Sequence, residues 1–464
     1  MPSKADPNDI RTLFSSAISD MYRSEVPQYG DLINLVKDVN NEVLKKNPAL
    51  KAKMKRDGNL DRLNIERHGA IRLGSAKELF NTRRLFAVMG MFPVSYYDLS
   101  IAGLPVHSTA FRPITTSALN RNPFRVFTSL LRLELIEDRQ LAQQAEQLLS
   151  NRQIITQRAL ELINTAETRD GLSMSEATEF VHEAIETFRW HSDTTVSSNT
   201  YNQLNNVHSL VADVVCFQGP HINHLTPRTL DIETIQKKMP TRGMSPKATI
   251  EGPPQRNTAL LLRQTSFKAL QEKVFFTDEN GVKIEGSHTA RFGEIEQRGI
   301  ALTTKGRQLY DQLLDTTLEQ SHKKKSVYSE ELTTQFRSFP DTFEELRQQR
   351  LAFFTYHQTS KHSLHESAKS IEELIQSGAL AYSPQTYEDF LPVSAAGIFR
   401  SNLSSNAQSH YSQESNQKTF EKALGVEVIN EQKLYERSQR NSLENALVGL
   451  GQEHLIRSIA SYLY

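Results

Sequence analysis

The sequence is poor in the features that mark several large classes of protein. It contains one cysteine, Cys216, which excludes an intramolecular disulfide and a cysteine-based zinc knuckle. Its 54 basic and 54 acidic side chains leave no net charge, so the basic excess typical of nucleic-acid-binding proteins is missing. The 20 glycines and 17 prolines among 464 residues are too few for a long disordered or repetitive chain. These absences favour a globular protein.

Long apolar runs are also missing. The most apolar stretches, residues 85–94 and 210–217, fall well short of the about 20 residues that a membrane span needs. The N-terminal residues show no basic start followed by an apolar stretch, the pattern of a secretory signal. We therefore expect a soluble, cytoplasmic protein that binds neither membrane nor nucleic acid. Nothing in the sequence indicates an oligomeric state.

The motifs of common nucleotide enzymes and hydrolases are absent as well. The chain has no Gly-x-Gly-x-x-Gly fingerprint, no phosphate-binding loop and no Gly-x-Ser-x-Gly nucleophile elbow. Chemistry must therefore come from other residues.

Hydrophobic periodicity predicts helices and strands without a regular alternation. Asp6 before Pro7 is typical of a helix start, and Ser75 with Glu78 three residues later is a capping-box pattern. We expect helices to dominate residues 138–190 and to end the chain at about 442–464. Strands are predicted at residues 64–74, 93–99, 105–114, 124–136 and 351–358. This scatter favours an α+β fold over a doubly wound sheet.

We interpret residues 1–464 as one large catalytic domain, because no internal repeat or low-complexity linker interrupts them. Its helical parts are expected at about residues 1–60, in an insertion at about 138–205 and in a tail at about 404–464. Two roles stay open for the insertion, a cap over the pocket or a dimerisation surface, and its polar face does not distinguish them.

Three short segments carry residues that can bind a metal: 66–72, 219–228 and 292–299. Two imidazoles and one carboxylate from separate strands make a facial triad, which binds Fe(II) on one side and leaves the other open. Zinc and manganese accept the same ligands, so the donor set alone does not identify the metal.

Each candidate also has an ordinary structural interpretation. A lone histidine such as His68 is more often a hydrogen-bonded core or surface residue than a ligand. His221 and His224, three residues apart between prolines, give a moderate signal. Glu294 and Glu296 alternate on a predicted strand and so point to one face. Paired carboxylates are usually solvated unless a cation lies between them.

Arg72 adds a geometric argument. On a strand it shares a face with His68, about 13 Å away along the chain at about 3.3 Å per residue. Its planar guanidinium could bind the distal carboxylate of a short dicarboxylic 2-oxo acid while the other end chelates the metal. The alternative is a structural ion pair, for instance with Glu66.

The same segments resemble the 2-oxoadipate dioxygenase/decarboxylase family. The resemblance rests on four strings: ERHGAIRLGS (66–75), GPHINHLTPRTLDI (219–232), FGEIEQRGIALTTKGRQLYD (292–311) and YEDFLPVSAAGIFRSNL (387–403). It implies a vicinal-oxygen-chelate-like mixed sheet or partial barrel surrounded by helices. It also implies an Fe(II) cofactor and an oxidoreductase of lysine catabolism that turns 2-oxoadipate and O₂ into D-2-hydroxyglutarate and CO₂.

Carried over onto this chain, the resemblance implies that His68 and His224 are iron ligands, with Glu294 as the carboxylate and Glu296 as the contender for that role. Arg72 matches the family's substrate-binding arginine. Val393 and Ser394 match a loop that touches substrate through main-chain groups, and His68 also borders the substrate. His221 either orients the site or packs.

Two other functions fit the same residues. A zinc- or manganese-dependent lyase or hydrolase would keep the metal and dispense with O₂. A ligand-binding protein would keep the pocket without redox chemistry, although binding alone does not require an oxidisable metal. A related 2-oxo acid is a further alternative to 2-oxoadipate.

Overall fold

The computed structural model describes residues 4–267, 271–277, 282–324, 327–359, 368–391 and 410–463. Its α-helices are α1 (Pro7–Glu25), α2 (Pro27–Lys46), α3 (Pro48–Arg56), α4 (Asn59–Arg62), α5 (Ala76–Val88), α6 (Thr116–Arg121), α7 (Arg139–Ser150), α8 (Gln157–Arg169), α9 (Met174–Glu186), α10 (Ser198–Val207), α11 (Ser209–Val215), α12 (Ile232–Lys238), α13 (Thr304–Lys324), α14 (Tyr328–Gln335), α15 (Phe343–Gln348), α16 (Ile371–Gln376), α17 (His410–Leu424), α18 (Glu431–Gly449) and α19 (Ile459–Leu463).

The strands are β1 (Arg67–Leu73), β2 (Phe92–Asp98), β3 (Val106–Arg112), β4 (Arg125–Leu131), β5 (Leu225–Pro227), β6 (Leu262–Ser266), β7 (Glu272–Thr277), β8 (Lys283–His288), β9 (Glu294–Arg298), β10 (Phe354–Gln358) and β11 (Leu380–Pro384). The α+β class is therefore confirmed. No helix among the described residues is long and apolar enough to cross a membrane.

The largest sheet has five strands in the order β2-β3-β4-β1-β5. β1 runs parallel to β4, and the other neighbouring pairs are antiparallel. Three two-stranded sheets pair β6 with β9, β7 with β8 and β10 with β11. The sheet is thus mixed, as expected, whereas its closure into a partial barrel stays a prediction.

The chain divides into two compact units. The first comprises residues 1–250, 264–296 and 390–429, and the second comprises residues 251–263, 297–389 and 430–464. The five-stranded sheet belongs to the first unit. In the second unit, α18 packs along the β10–β11 pair.

Successive β1 side chains enter different cores of the first unit. Ile71 joins a cluster with the apolar faces of α1, α5, α8 and α9. Ala70 joins another cluster with residues of β3, β4, α7 and α11. Because side chains alternate across a strand, His68 and Arg72 share the face of Ala70.

Local sequence signals explain several element boundaries. Asp6 caps α1 by accepting from the amide of Asn8, and Ser75 caps α5 by accepting from the amide of Glu78, so both predicted helix starts are confirmed. The predicted strand at 124–136 is too long, because β4 ends at Leu131 and a 3₁₀ turn follows.

The predicted final helix at 442–464 is wrong in its bounds. The helix there, α18, begins at Glu431, where Asn430 caps it, and ends at Gly449. Gly451 then adopts a left-handed φ of 67°, which breaks the helix before the short α19. The apolar periodicity of residues 442–464 therefore spans two helices.

Candidate metal centre

His68 lies on β1, between its register partners Arg125 on β4 and Thr226 on β5. Its side chain is 1% exposed. A buried imidazole needs partners for its ring nitrogens inside the protein. Two carboxylates on β9 lie within 3.1 Å of these nitrogens: Glu294 is the hydrogen-bond partner of Nε2, and Glu296 is at ion-pair distance from Nδ1.

Gly69 lets the segment that carries His224 approach β1. A Cβ on Gly69 would lie 2.5 Å from Cδ1 of Ile222 and 3.3 Å from the carbonyl oxygen of His224. The amide of Asn223 donates to the carbonyl of Ala70 over 2.9 Å. This close approach brings the His224 ring within 5.3 Å, centroid to centroid, of the ring of His68.

Tyr22 of α1 joins the segments that carry His224 and Glu294. Its buried hydroxyl lies 3.1 Å from the carbonyl oxygen of Asn223 and 2.8 Å from that of Phe292. The amide of Phe292 in turn donates to the carbonyl of Asn223. The two segments are therefore fixed to each other next to the candidate ligands.

His68, His224 and Glu294 converge on one point. Nε2 of His68 lies 3.1 Å from Oε1 of Glu294, and Nδ1 of His224 lies 3.7 Å from the same oxygen. All three residues are buried, and they form the one group of His, Cys, Asp or Glu in the described part of the chain whose donor atoms could together hold a metal ion. Two imidazoles and a carboxylate suit iron, zinc or manganese.

Neutral donors fix the carboxylate of Glu294. Thr226 Oγ1 donates to Oε1 over 3.0 Å, and the amide nitrogen of Gln264 donates to the same atom over 2.8 Å. Thr226 Oγ1 also lies 2.9 Å from Nδ1 of His224. Such contacts set the orientation of a ligating carboxylate.

Glu296 occupies the opposite side of the His68 ring. Its Oε2 lies 2.9 Å from Nδ1 of His68, and it belongs to no metal-binding group of the described residues. Arg125 lies 4.0 Å from the other oxygen of this carboxylate. The prediction that both glutamates share a face is therefore confirmed, and their contacts with His68 differ.

The pKa values of the three residues follow from burial and mutual charge. Burial lowers the pKa of His224 to about 4. Burial opposes protonation of His68, but Glu296 and Glu294 outweigh it and raise the pKa of that imidazole. Burial likewise opposes ionisation of Glu294, yet His224 and His68 hold its pKa below the ordinary value. At neutral pH the group therefore offers one anionic carboxylate and the unprotonated imidazole of His224.

Arg72 does not pair with Glu66. Its Nη1 donates to Oδ2 of Asp213 over 2.6 Å. Glu66 instead accepts from three other buried guanidinium groups, those of Arg62, Arg125 and Arg228. Arg72 is close enough to the candidate ligands for its charge to contribute to the lowered pKa of His224.

His221 contacts Asp213 and lies outside the group of candidate ligands. Its Nε2 lies 3.2 Å from Oδ1 of Asp213, and its ring packs edge-on against Trp190. His221 is therefore a neighbour of the Arg72 ion pair. These contacts are compatible with both predicted roles, orienting the site and packing.

Aromatic rings border the imidazoles of the group. Phe390 packs edge-on against His68 at 4.9 Å, and Phe292 stacks on His224 at 4.8 Å. Both rings belong to strings that carried the family resemblance. Val393 and Ser394, expected to touch substrate, lie outside the described residues.

Several residues of this region carried no signal in the sequence. Asp213 lies in an apolar helical segment, and Gln264 and His288 lie on strands among other polar residues. Thr226 lies inside one of the strings that carried the family resemblance, without a predicted role. Only Asp213 could have been noticed from the sequence, because it is a charged residue within an otherwise apolar segment.

Known proteins resemble the chain over nearly its full length. A family model described as 2-oxoadipate dioxygenase/decarboxylase matches residues 14–402. A 2-oxoadipate dioxygenase/decarboxylase of Pseudomonas putida is 53% identical over 447 residues, which cover 94% of this chain and 96% of the relative. The Escherichia coli protein of the same name is 53% identical over 453 residues, covering 95% and 98%.

A solved structure shares the fold. The crystal structure of the hydroxyglutarate synthase of Pseudomonas putida in complex with 2-oxoadipate matches with a TM-score of 0.90 and 50% sequence identity. The match covers 97% of this chain and all of that chain.

Proposed function

Because the chain belongs to the 2-oxoadipate dioxygenase/decarboxylase family, we propose that it converts 2-oxoadipate and O₂ to D-2-hydroxyglutarate and CO₂ with a non-haem Fe(II) ion. The C1 carboxyl group leaves as CO₂, one oxygen atom completes the new carboxylate and the other becomes the hydroxyl group. The observation that carries the proposal is the convergence of His68, His224 and Glu294 near Arg72.

The donor set is compatible with iron at this group. His68 presents Nε2 to Glu294 while Glu296 faces its other ring nitrogen, so one nitrogen is directed at the ion and the other is held from behind. A divalent cation would replace the proton that His68 and Glu294 share. His68, His224 and Glu294 would hold the Fe(II) ion, which when bound would supply the redox chemistry toward O₂.

The protein side chains divide the remaining tasks. Thr226 and Gln264 hold Glu294 in one orientation by donating to Oε1. Phe390 and Phe292 exclude water from the imidazole edges, which favours reaction of the bound acid over side reactions.

Arg72 is proposed to bind the distal carboxylate of 2-oxoadipate. It lies on the face of β1 that carries His68, and its planar guanidinium suits bidentate recognition of a carboxylate. We further propose that Val393 and Ser394 contact the substrate through main-chain groups, as the family resemblance implies. His68 then borders both the metal and the acid.

The proposal also covers the fold of the core, the domain organisation and the metabolic pathway. We infer that the five-stranded sheet corresponds to the vicinal-oxygen-chelate-like core of the family and that the whole chain acts as one catalytic domain. A place in lysine catabolism follows from the proposed substrate.

Oxygen uptake tests the proposed reaction. Protein loaded anaerobically with Fe(II) is mixed with 2-oxoadipate and O₂, and products are resolved by chiral chromatography. We expect one CO₂ and one D-2-hydroxyglutarate for each O₂ consumed. Turnover without O₂ would instead identify a non-oxidative metal enzyme, and absence of turnover with iron bound would refute 2-oxoadipate as the substrate.

A further inference from the structure

Arg72 has one hydrogen-bond partner within the described part of the chain, the carboxylate of Asp213. The bond joins Nη1 to Oδ2 over 2.6 Å. A guanidinium group has five N–H donors in a rigid plane, so this contact leaves most of the donors available. The Arg72 side chain is 22% exposed, whereas that of Asp213 is 6% exposed. The arginine thus has one fixed edge and one accessible edge.

Asp213 is itself fixed by two histidines. Its Oδ1 lies 2.9 Å from Nε2 of His288 and 3.2 Å from Nε2 of His221. Tyr201 lies 2.8 Å from Nδ1 of His288. If the tyrosine hydroxyl donates to Nδ1, the proton of His288 is on Nε2 and donates to Asp213. Asp213 then accepts from His288 on one oxygen and from Arg72 on the other, and these contacts join Tyr201, His288, Asp213 and Arg72 across four elements of the first unit.

Aromatic packing restricts these imidazoles. Trp190 lies parallel to His288 at 6.3 Å and edge-on to His221 at 4.6 Å, and Phe217 lies 4.7 Å from His288. Arg291 covers the other side of Trp190, 4.9 Å from the ring centroid. Asp213 consequently has little freedom to follow Arg72 if the arginine moves.

The charge state of Asp213 agrees with this geometry. Burial opposes its ionisation, but His221 and Arg72 hold the pKa of the carboxyl group well below its ordinary value. A carboxylate that stays anionic makes a charge-assisted bond to the guanidinium at every physiological pH.

We propose that Asp213 is the positioning residue that makes Arg72 selective for dicarboxylic 2-oxo acids. It holds one edge of the guanidinium group, so that the other edge is oriented toward the distal carboxylate of the substrate. The inference rests on the proposed function, and it names a residue and a selectivity that the metal-binding group does not supply.

A free arginine would lose rotamer entropy on binding its ligand, and a pre-oriented one loses less. The affinity of the protein should therefore depend on Asp213 only for acids that carry a distal carboxylate. 2-Oxohexanoate has the same length but no distal carboxylate to accept hydrogen bonds from Arg72. Its affinity should therefore not depend on how Arg72 is oriented.

The test measures anaerobic binding of 2-oxoadipate and 2-oxohexanoate to the Fe(II)-loaded protein by calorimetry, together with KM and kcat in O₂. In Asp213→Asn we expect Kd and KM for 2-oxoadipate to rise about tenfold or more, the loss typical of one charge-assisted hydrogen bond. Binding of 2-oxohexanoate, kcat and iron content should stay within about threefold of wild type.

A double-mutant cycle separates positioning from a general structural role. In an Arg72→Ala background, Asp213→Asn should cause no further loss of 2-oxoadipate binding, because the residue acts through Arg72. Tyr201→Phe is a milder variant that removes only the contact to His288. It should weaken 2-oxoadipate binding in the same direction without affecting 2-oxohexanoate.

Glu78→Gln is the matched control. Glu78 is also buried and also pairs with one guanidinium group, that of Arg152, at 2.8 Å. It contacts none of the site residues that the structure describes, so its loss should lower thermal stability without altering the preference between the two acids.

The outcomes are distinguishable. Wild-type protein that binds neither acid refutes the proposed function and this inference with it. Wild-type protein that prefers 2-oxoadipate, with the preference intact in Asp213→Asn and Tyr201→Phe, refutes the inference alone. Tighter binding of 2-oxoadipate by Asp213→Asn would mean that Asp213 competes with the substrate for Arg72, and equal weakening of both acids would mean a structural role.

Discussion

The Nδ1 atom of His68 lies 2.9 Å from Oε2 of Glu296, a carboxylate that solvent does not reach. The contact distinguishes Glu296 from Glu294, which faces the other ring nitrogen of the same imidazole. A carboxylate behind a ligating histidine fixes the ring and increases its basicity. The two glutamates of β9 therefore have different expected roles.

Substitution of each glutamate separates the roles. Glu294→Ala should abolish retention of Fe(II) after gel filtration, because it removes a ligand. Glu296→Gln should keep full iron stoichiometry with an affinity weaker by about 10- to 100-fold, the usual effect of losing such a partner. Metal content by mass spectrometry and competition with a chelator measure both quantities. Iron loss from Glu296→Gln with normal retention by Glu294→Ala would reverse the assignment.

The two histidines of the 219–228 segment offer a second comparison. His224→Ala should lose bound iron together with turnover. His221→Ala, three residues away, should retain the iron, because His221 contacts Asp213 rather than the metal-binding group. The same metal analysis checks this prediction. Equal iron contents in the two variants would contradict the assignment of His224 as a ligand.

A third prediction concerns Arg72. Arg72→Ala should raise KM for 2-oxoadipate about 10- to 100-fold, because the distal carboxylate loses charge-assisted hydrogen bonds. Iron content should not change. Arg72→Lys should restore only part of the affinity, since an ammonium group is a point charge without the planar fork. An unchanged KM in Arg72→Ala would exclude the proposed role, and steady-state kinetics give the answer.

The candidate ligands could be predicted because each lies in a short segment with a readable local structure. β1 presents His68 and Arg72 on one face as its alternation requires, and Glu294 and Glu296 follow the same rule on β9. The family resemblance then indicated which of these residues are ligands and which one binds the substrate. Periodicity alone does not reveal which glutamate faces which ring nitrogen, because that depends on the packing of β9 against β1.

The partner of Arg72 could not be predicted. Asp213 is 141 residues away in sequence and lies on a helix whose neighbouring residues are apolar and buried. The sequence offered Glu66 as the nearer acid, but three other guanidinium groups surround that carboxylate. Long-range pairing of buried charges depends on tertiary structure, and local spacing carries no information about it.

Glu66 itself leads to a stability prediction. It is fully buried, and its carboxylate contacts the guanidinium groups of Arg62, Arg125 and Arg228 within 3.2 Å. Glu66→Gln would remove the anion that three buried cations share. We expect the free energy of unfolding to fall by about 3–5 kcal/mol, the range for breaking a buried ion pair from one side.

Chemical denaturation measures this loss, and Glu285→Gln provides the comparison. Glu285 pairs with Lys273 on the surface, where both side chains are more than half exposed. Loss of such a pair has little effect on stability. If Glu66→Gln were as stable as Glu285→Gln, the buried cluster would contribute nothing to the fold.

The last prediction concerns the pH dependence of stability and His107. This imidazole is buried on β3, with Nδ1 3.3 Å from the hydroxyl of Tyr96 and its ring packed against Phe420. Burial is the main cause that lowers its pKa to about 4, and Arg132 adds to the effect. Asp98 and Glu134 oppose it without reversing the direction.

In the unfolded chain the pKa of His107 returns to about 6.5. Between pH 6.5 and pH 4 the unfolded chain therefore binds a proton that the folded protein does not, so the free energy of unfolding falls as the pH falls. The loss reaches about 3 kcal/mol near pH 4.

Urea unfolding from pH 8 to pH 4 should show this fall in the free energy of unfolding in wild type, and His107→Asn should lack the part of the fall that His107 causes. The same change at His182, whose side chain is 82% exposed, serves as the control. Parallel pH profiles for wild type and His107→Asn would show that His107 does not cause the acid sensitivity.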